Sequence, residues 1–554
     1  MSRSPLFESL RRAFRVAAVA SRHQAGGPPI EELIERAASR RRFLRDSAAL
    51  TAATLVAGCR QREAPAAANP SPGAAPRSGG PRVAIVGGGM AGLNTAYKLQ
   101  KAGITATVYE GAQRTGGRIF TATNLLGDGL TAELGGEFID SSHEEMLALM
   151  TEFGLERIDT QSPAAAALID ETYFINGRHY TLAQAARAFV PLAKRIFKDY
   201  DPLPDVVNYE NPTVGAALDR LSIAEYLDRI GAAGWMRELI ECAYVTEYGL
   251  ELNEQSALNF VFLIGTGDLE DPKAFSLLGE SDERYKVQGG NQRVVDELAK
   301  RLEPQIKRLH RLESIRSKGA GYTLTFQTGA TVAEAEADFV VLAIPFTLLR
   351  QVHMQVELTP LKTKAIQELG YGTNAKVLVG FRSRPWEKRG YSGSTYSDEP
   401  FQLAWSNSFL QPGPAGGLTL YSGGKMGVEV GQGTPEAVAA RLMEGMERVY
   451  PGVTREQNGT VRRFHWPSFE WTKGSYACYK PGQWTTIAGS EGLPVGNLFF
   501  AGEHCSYDFQ GFMNGAAQSG VDTAKAVMAK VSGAPAALPK AARRYSRREL
   551  VHLA

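Results

Sequence analysis

The apolar run Val83-Ala84-Ile85-Val86 breaks into Gly87-Gly88-Gly89-Met90-Ala91-Gly92, and a second apolar run closes on Glu110, 18 residues after Gly92. This order predicts a buried strand, a glycine turn, a helix and a second strand ending in a carboxylate. Arg114-Thr115-Gly116-Gly117-Arg118 follows as a turn with two glycines and two cations, and Ala132 to Asp140 reads as another glycine turn beside an apolar strand. From about 142 to 280 the pattern becomes largely helical: Ala185 to Phe197 and Ile223 to Ile230 carry apolar residues at helical spacing. Tyr285-Lys286-Val287-Gln288-Gly289-Gly290 restarts the first pattern and leads into an amphipathic helix, Arg293 to Leu302. Tyr322 to Phe326 alternates like a strand, and Phe339 to Pro345 reads as a buried strand stopped by proline. Residues 366–471 are strand-rich, Lys376 to Phe381 most clearly, and Leu498 to Glu503 reads as a last buried strand before a helix that ends near Lys530. The chain has no internal repeat. The pattern predicts an α/β protein whose nucleotide fold is interrupted by a second domain.

Composition adds little to this and removes several alternatives. The 554 residues are 44% apolar and 22% charged, with a net charge of +2. These values fit an ordinary globular protein of about two to four domains on a length prior. No global field points to nucleic acid. The four cysteines, Cys59, Cys242, Cys478 and Cys505, are widely spaced and form neither a metal pattern nor a disulfide framework. No metal site is expected, and no stretch is apolar for long enough to span a bilayer.

The first 80 residues read as a leader outside the fold. Ser39-Arg40-Arg41-Arg42-Phe43-Leu44 resembles the twin-arginine export signal, and the weakly apolar run Ser47 to Gly58 follows it. Val56-Ala57-Gly58-Cys59 resembles a lipoprotein cleavage box, in which the cysteine is acylated and becomes the new N-terminus. Residues 60–80, rich in Ala, Pro and Gly, fit a flexible tether. The expectation is export to the periplasm or to a membrane anchor at Cys59; a disordered basic leader is the alternative.

The chemistry begins at the first glycine turn. Gly87 permits the tight turn, Gly89 lets the backbone approach a pyrophosphate, and Gly92 lets the helix pack closely on the strand. The free N–H groups of the helix N-terminus favour phosphate there. Glu110 stands where a carboxylate accepts hydrogen bonds from a ribose.

With these pieces in order, residues 82–530 resemble the flavin amine oxidases: monoamine oxidases, polyamine oxidases and L-amino acid oxidases. The resemblance rests on Gly87-x-Gly89-x-x-Gly92, Glu110, Gly116-Gly117-Arg118, Glu133-Leu134-Gly135-Gly136, Gly289-Gly290, Ala501-Gly502-Glu503 and Gly511-Phe512-Met513-x-Gly515-Ala516. It implies a discontinuous Rossmann-like FAD-binding domain and a substrate domain of mixed sheet and helices. It divides the chain into a signal (1–59), a linker (60–80), the FAD-binding domain (81–160, 281–365 and 472–532), the substrate domain (161–280 and 366–471) and a basic tail (533–554).

The same resemblance assigns Gly87, Gly89, Gly92, Glu110, Gly117, Arg118, Gly135, Gly136, Leu312, Gly502, Glu503 and Met513 to FAD. Arg118 would meet phosphate charge with its guanidinium. Glu503 matches the acid on the ribityl chain, and the Met513 N–H would point at the flavin N1–C2=O edge. Lys376 aligns with the lysine that holds a water against flavin N5, and Tyr476 and Phe512 with the two walls of an aromatic cage. Ser475 stands where monoamine oxidases carry the cysteine that attaches the flavin, so FAD is expected to be non-covalent.

The implied activity is oxidative deamination of an amine or L-amino acid, with O2 reduced to H2O2. The arginine that follows the second glycine turn in many L-amino acid oxidases is replaced by Glu137-Phe138-Ile139-Asp140. That favours an amine, or an amino acid held by other cations such as Arg237 or Arg284. Glu137 and Asp140 stand where they would attract a cation or serve the structure. Thr246-Glu247-Tyr248-Gly249 is a candidate pocket wall. Three alternatives stay open at this stage: a flavin dehydrogenase or desaturase, a lipid-anchored flavoprotein without turnover, and a nicotinamide enzyme. A homodimer also stays open.

Overall fold

The computed structural model describes residues 80–165, 168–204, 206–212, 214–264 and 282–534. The twin-arginine-like segment, Cys59, the linker up to residue 79 and the tail beyond 534 lie outside the described residues. Two sheets organise the rest.

The first sheet is parallel throughout, with strand order β20 (Leu498–Phe500), β13 (Phe339–Leu342), β1 (Val83–Val86), β2 (Ala106–Tyr109), β9 (Ile306–Lys307). β1 is central and buried on both faces, which is why it reads as an unbroken apolar run. One face is covered by α1 (Met90–Lys101), α7 (Gln292–Leu302) and α10 (Met513–Val531). α10 lies against α1 because Gly520 leaves room: a Cβ there would stand 2.7 Å from the Ala91 carbonyl oxygen. A four-stranded sheet, β12 (Thr331–Ala337), β11 (Gly321–Thr328), β10 (Arg311–Lys318), β14 (His353–Gln355), continues this half. The short pair β3 (Thr121–Thr123) and β4 (Thr131–Glu133) carries the chain to the second glycine turn.

The second sheet has seven strands in the order β19 (Gln457–His465), β15 (Ala375–Phe381), β18 (Gly416–Ser422), β17 (Leu403–Ser406), β16 (Tyr391–Ser397), β6 (Ile169–Ile175), β7 (Arg178–Tyr180). β15 is buried along its whole length. One face packs on α9 (Pro435–Val449) through Phe381, Leu442 and Met446. The other packs on the helical insert, α3 (Leu182–Tyr200), α4 (Ile223–Arg229), α5 (Gly234–Tyr248) and α6 (Ala257–Ile264).

Two stretches hold more than the pattern shows, and two element boundaries need correction. The 142–280 stretch is not only helical: it contains β5 (Arg157–Asp159), which pairs with β8 (Tyr285–Val287), and the hairpin β6–β7, whose first strand joins β16 in parallel. The strand-rich stretch 366–471 also holds the 15-residue α9. Ala132–Asp140 is a strand only through Glu133; beyond the turn, Ile139 makes a single bridge to Tyr285. β20 ends at Phe500, and Glu503 opens a short 3-10 turn instead of closing the strand.

Candidate cofactor and active site

The three glycines of the first turn do three different things. Gly87 has φ +106°, and a Cβ on it would fall 2.5 Å from the Ala343 carbonyl oxygen. A Cβ on Gly92 would fall 2.0 Å from the Gly87 carbonyl oxygen, so the helix rests directly on the turn. A Cβ on Gly89 would meet nothing nearer than Gly117 Cα at 4.0 Å. The space between Gly89 and Gly117 is therefore kept open by two facing glycines, with the N-terminus of α1 beside it. That is a cradle for a pyrophosphate.

A cavity of about 320 Å³ runs from this cradle across the molecule. Gly87, Gly89, Glu110, Gly117, Arg118, Leu312, Gly502, Glu503, Phe512 and Met513 line it; Gly92, Gly135, Gly136, Lys376 and Tyr476 do not. At one end, Glu110 accepts from the Gly88 N–H at 2.7 Å and the Ala112 N–H at 2.7 Å. Burial raises its pKa above the usual carboxylate range, against the pull of these two N–H groups. Each oxygen keeps a lone pair for a ligand. Further along, Arg118 donates to Glu503 at 2.7 Å and to the Ser475 carbonyl at 2.9 Å. Glu503 also accepts from the N–H groups of Gly511 and Ala477. Burial works against its charge, yet the Arg118 guanidinium and its other partners hold its pKa below the usual range.

The second glycine turn does not line the cavity but packs on Met513, which does. A Cβ on Gly136 would come within 2.6 Å of Met513 Sδ, and one on Gly135 within 1.9 Å of the Arg118 carbonyl oxygen. Asn291 clamps the turn, donating its side-chain N–H groups to the carbonyls of Gly136 and Glu137 and its backbone N–H to Glu133. Lys376 reaches the turn from β15. Its Nζ donates to the Glu133 carbonyl at 2.9 Å, the Gly135 carbonyl at 2.8 Å and the Glu137 carboxylate at 2.9 Å. An ammonium has three N–H donors, and all three are spent here. In this arrangement Lys376 braces the second glycine turn. Lys286 donates to the other Glu137 oxygen at 2.6 Å.

Aromatic rings stand against this pair. Trp405 has Lys376 Nζ 5.1 Å from its ring centre, Phe138 at 6.4 Å and Tyr421 at 5.3 Å. The Tyr421 hydroxyl lies 3.1 Å from that of Tyr476, which also donates to the Glu247 carbonyl. Phe512 packs edge-on against His143 at 5.0 Å. The remaining candidates are committed elsewhere. Arg237 pairs with Asp228 at 2.7 Å and Arg284 with Asp159 through two bonds. Asp140 accepts from the Glu283 N–H. Cys478 is buried and accepts from the Asn259 side chain at 3.6 Å, and Ser475, a hydroxyl where a thiol would attach a flavin, donates to Asn374. Among the described residues no His/Cys/Asp/Glu cluster fits a metal.

The profile of the flavin containing amine oxidoreductase family matches residues 90–528. The chain belongs to that family. An amine oxidase [flavin-containing] of Danio rerio is 25% identical over 473 residues, covering 80% of this chain and 85% of that protein. An L-amino acid dehydrogenase of Synechocystis is 22% identical, covering 80% and 94%. Among solved structures, putrescine oxidase bound to putrescine aligns with a TM-score of 0.69 at 22% identity, over 81% of this chain and 99% of that one. The flavin amine oxidase fold and its FAD follow, and the open cradle, Glu110 and the Arg118–Glu503 pair fit that cofactor.

Several contributors were not picked out from the sequence. Asn291, Trp405 and Tyr421 carry no motif. Trp471, which lines the cavity, would clash with a Cβ on Gly111 at 2.3 Å. Lys286 did have a signal, a lysine inside the apolar triplet of β8.

Proposed function

We propose that the chain is an amine oxidase in the strict sense. A neutral amine loses a hydride equivalent from the carbon beside nitrogen, and the resulting imine is hydrolysed to a carbonyl compound and ammonia. The electrons leave to O2, which becomes H2O2. Bound FAD supplies the hydride acceptor. The side chains exclude water, orient the amine and keep it apolar-flanked until it reacts. The observation that carries this reading is the wall of Phe138, Trp405, Tyr421 and Tyr476 built against the braced turn Gly135–Gly136. Such rings guide an uncharged amine and disfavour a hydrated carboxylate. The commitments of Arg237 and Arg284 also support an amine over an amino acid.

One observation favours a second reading, a dehydrogenase that avoids O2: Lys376 has no N–H left for a water. Timing the return of flavin colour when substrate-reduced protein meets air separates the two. Return within seconds with stoichiometric H2O2 supports the oxidase; a colourless protein that needs an added quinone or dye supports the dehydrogenase.

Export through the twin-arginine route, with a lipid anchor at Cys59, is part of the same proposal. Its support is the motif at Ser39–Leu44 and the box at Val56–Cys59. Replacing Arg40 and Arg41 by lysine should leave the protein in the cytoplasm, and Cys59→Ser should release it from membranes; unchanged fractionation of both variants contradicts the proposal.

A further inference from the structure

Behind the second glycine turn lie four buried charged side chains. Glu137 is 1% exposed, Glu133 1%, Lys376 2% and Lys286 7%. They come from four places in the chain: β4, the turn itself, β8 and β15. Glu137 sits between the two ammonium groups, one oxygen on each. Glu133 faces them from the side, bonded to the Thr121 hydroxyl and the Asn291 N–H. Tyr421 feels the Glu137 charge from β18. Buried ions are costly unless paired, so a cluster of this kind invites a functional account.

The cluster is one residue from the cavity wall. Lys376 holds the Gly135 carbonyl, and Gly136 touches Met513, whose helix N-terminus closes the cavity. Lysine alone would present a full positive charge there. Glu137 cancels it, and Lys286 partly restores it. We propose that Glu137 is a positioning residue for the flavin: its carboxylate pins Lys376 against the glycine turn and, with Lys286, sets the net charge felt at the flavin ring. The proposal rests on FAD at this site and not on which substrate is oxidised.

Two charge states support a sign. Burial, with the charge of Glu137, pushes the Glu133 carboxyl up to about 7. Burial also opposes the charge on Glu137, but the ammonium groups of Lys286 and Lys376 outweigh it and keep Glu137 ionised. At neutral pH, then, Glu137 is the firm negative charge of the cluster. Removing it makes the site more positive, which favours the reduced, more electron-rich flavin.

The test is the two-electron midpoint potential of the FAD-loaded protein, measured by equilibration with reference dyes without any amine. Glu137→Gln should favour the reduced form about tenfold, a rise of about 30 mV. Lys286→Met should shift it in the opposite direction by a similar factor. The double variant should return to within about threefold of the wild type, since one charge of each sign is gone. A Glu137 with only a packing role would loosen FAD or lower Tm but leave the potential of the protein that retains FAD unchanged, and that result overturns the proposal. If Glu137→Gln does not fold, Lys286→Met decides: a potential unchanged or raised overturns it, a lowered one supports it. Neither outcome depends on turnover, so failure here is distinct from failure of the oxidase reading.

Discussion

A single methyl group separates the two jobs of the first glycine turn. Gly92→Ala pushes a Cβ to 2.0 Å from the Gly87 carbonyl oxygen, whereas Gly89→Ala pushes one into open space facing Gly117. Gly92→Ala should therefore destabilise the protein itself by roughly 1–3 kcal/mol, with or without FAD. Gly89→Ala should leave the apoprotein's unfolding free energy within about 0.5 kcal/mol of the wild type while weakening FAD binding tenfold or more. Chemical denaturation and flavin titration of both variants check this.

His504 makes a second prediction at this scale. It is fully buried against Phe346, and neither ring nitrogen has a hydrogen-bond partner among the described residues. Burial holds its pKa down to about 3, against an ordinary 6.5. The unfolded chain takes up the proton first as pH falls, so stability is lost between about pH 6.5 and pH 3. The loss is on the order of a few kcal/mol. His504→Phe should flatten that slope relative to the wild type in pH-resolved denaturation. The glycine roles were legible in the sequence because their spacing between an apolar strand and a helix marks the turn, even where the partner, such as Ala343 for Gly87, is distant. The Glu137 cluster was not, because its partners lie 149 and 239 residues away.

Between elements, the site depends on a buried junction. Arg118 after Gly116–Gly117, the loop at Ser475–Ala477, Glu503 after β20 and Gly511 before α10 meet around the Glu503 carboxylate. Glu503→Gln keeps the shape and removes the charge that pairs with Arg118. Loss of one partner of a buried pair typically costs about 3–5 kcal/mol. The variant should unfold earlier in urea and release FAD at lower denaturant than the wild type; unchanged FAD retention would argue against Glu503 as the link.

Element prediction succeeded where the signal was strong, as in β1, β13, β15 and α7. It failed for β6, whose Ile169-Asp170-Glu171-Thr172 start carries adjacent acids. Pairing with β16, more than 200 residues on, makes it a strand. α9 was legible in principle, since Thr434 caps it and Pro435 opens it, but it lay inside a run of strands.

For the molecule as a whole, one cavity lies beside the parallel sheet, lined by the ends of β1 and β2 and the turns that follow them. Gly87, Gly89, Gly111, Gly116, Gly117 and Gly502 line it, and Met513 links it to the second glycine turn, behind which Phe138, Trp405, Tyr421 and Tyr476 cluster. That division explains why the cofactor could be read from the sequence and the substrate could not: the phosphate cradle is backbone, which glycine spacing reports, while the wall comes from Phe138 after the second glycine turn, β17, β18 and a distant loop. The central claim is that this wall delivers an amine to FAD. The most direct measurement is anaerobic absorbance of the FAD-loaded protein mixed with a panel of primary aromatic amines, aliphatic amines, diamines and L-amino acids. The account predicts loss of the flavin band with at least one amine, faster than with any L-amino acid. Bleaching by L-amino acids alone, or by nothing in the panel, would contradict it.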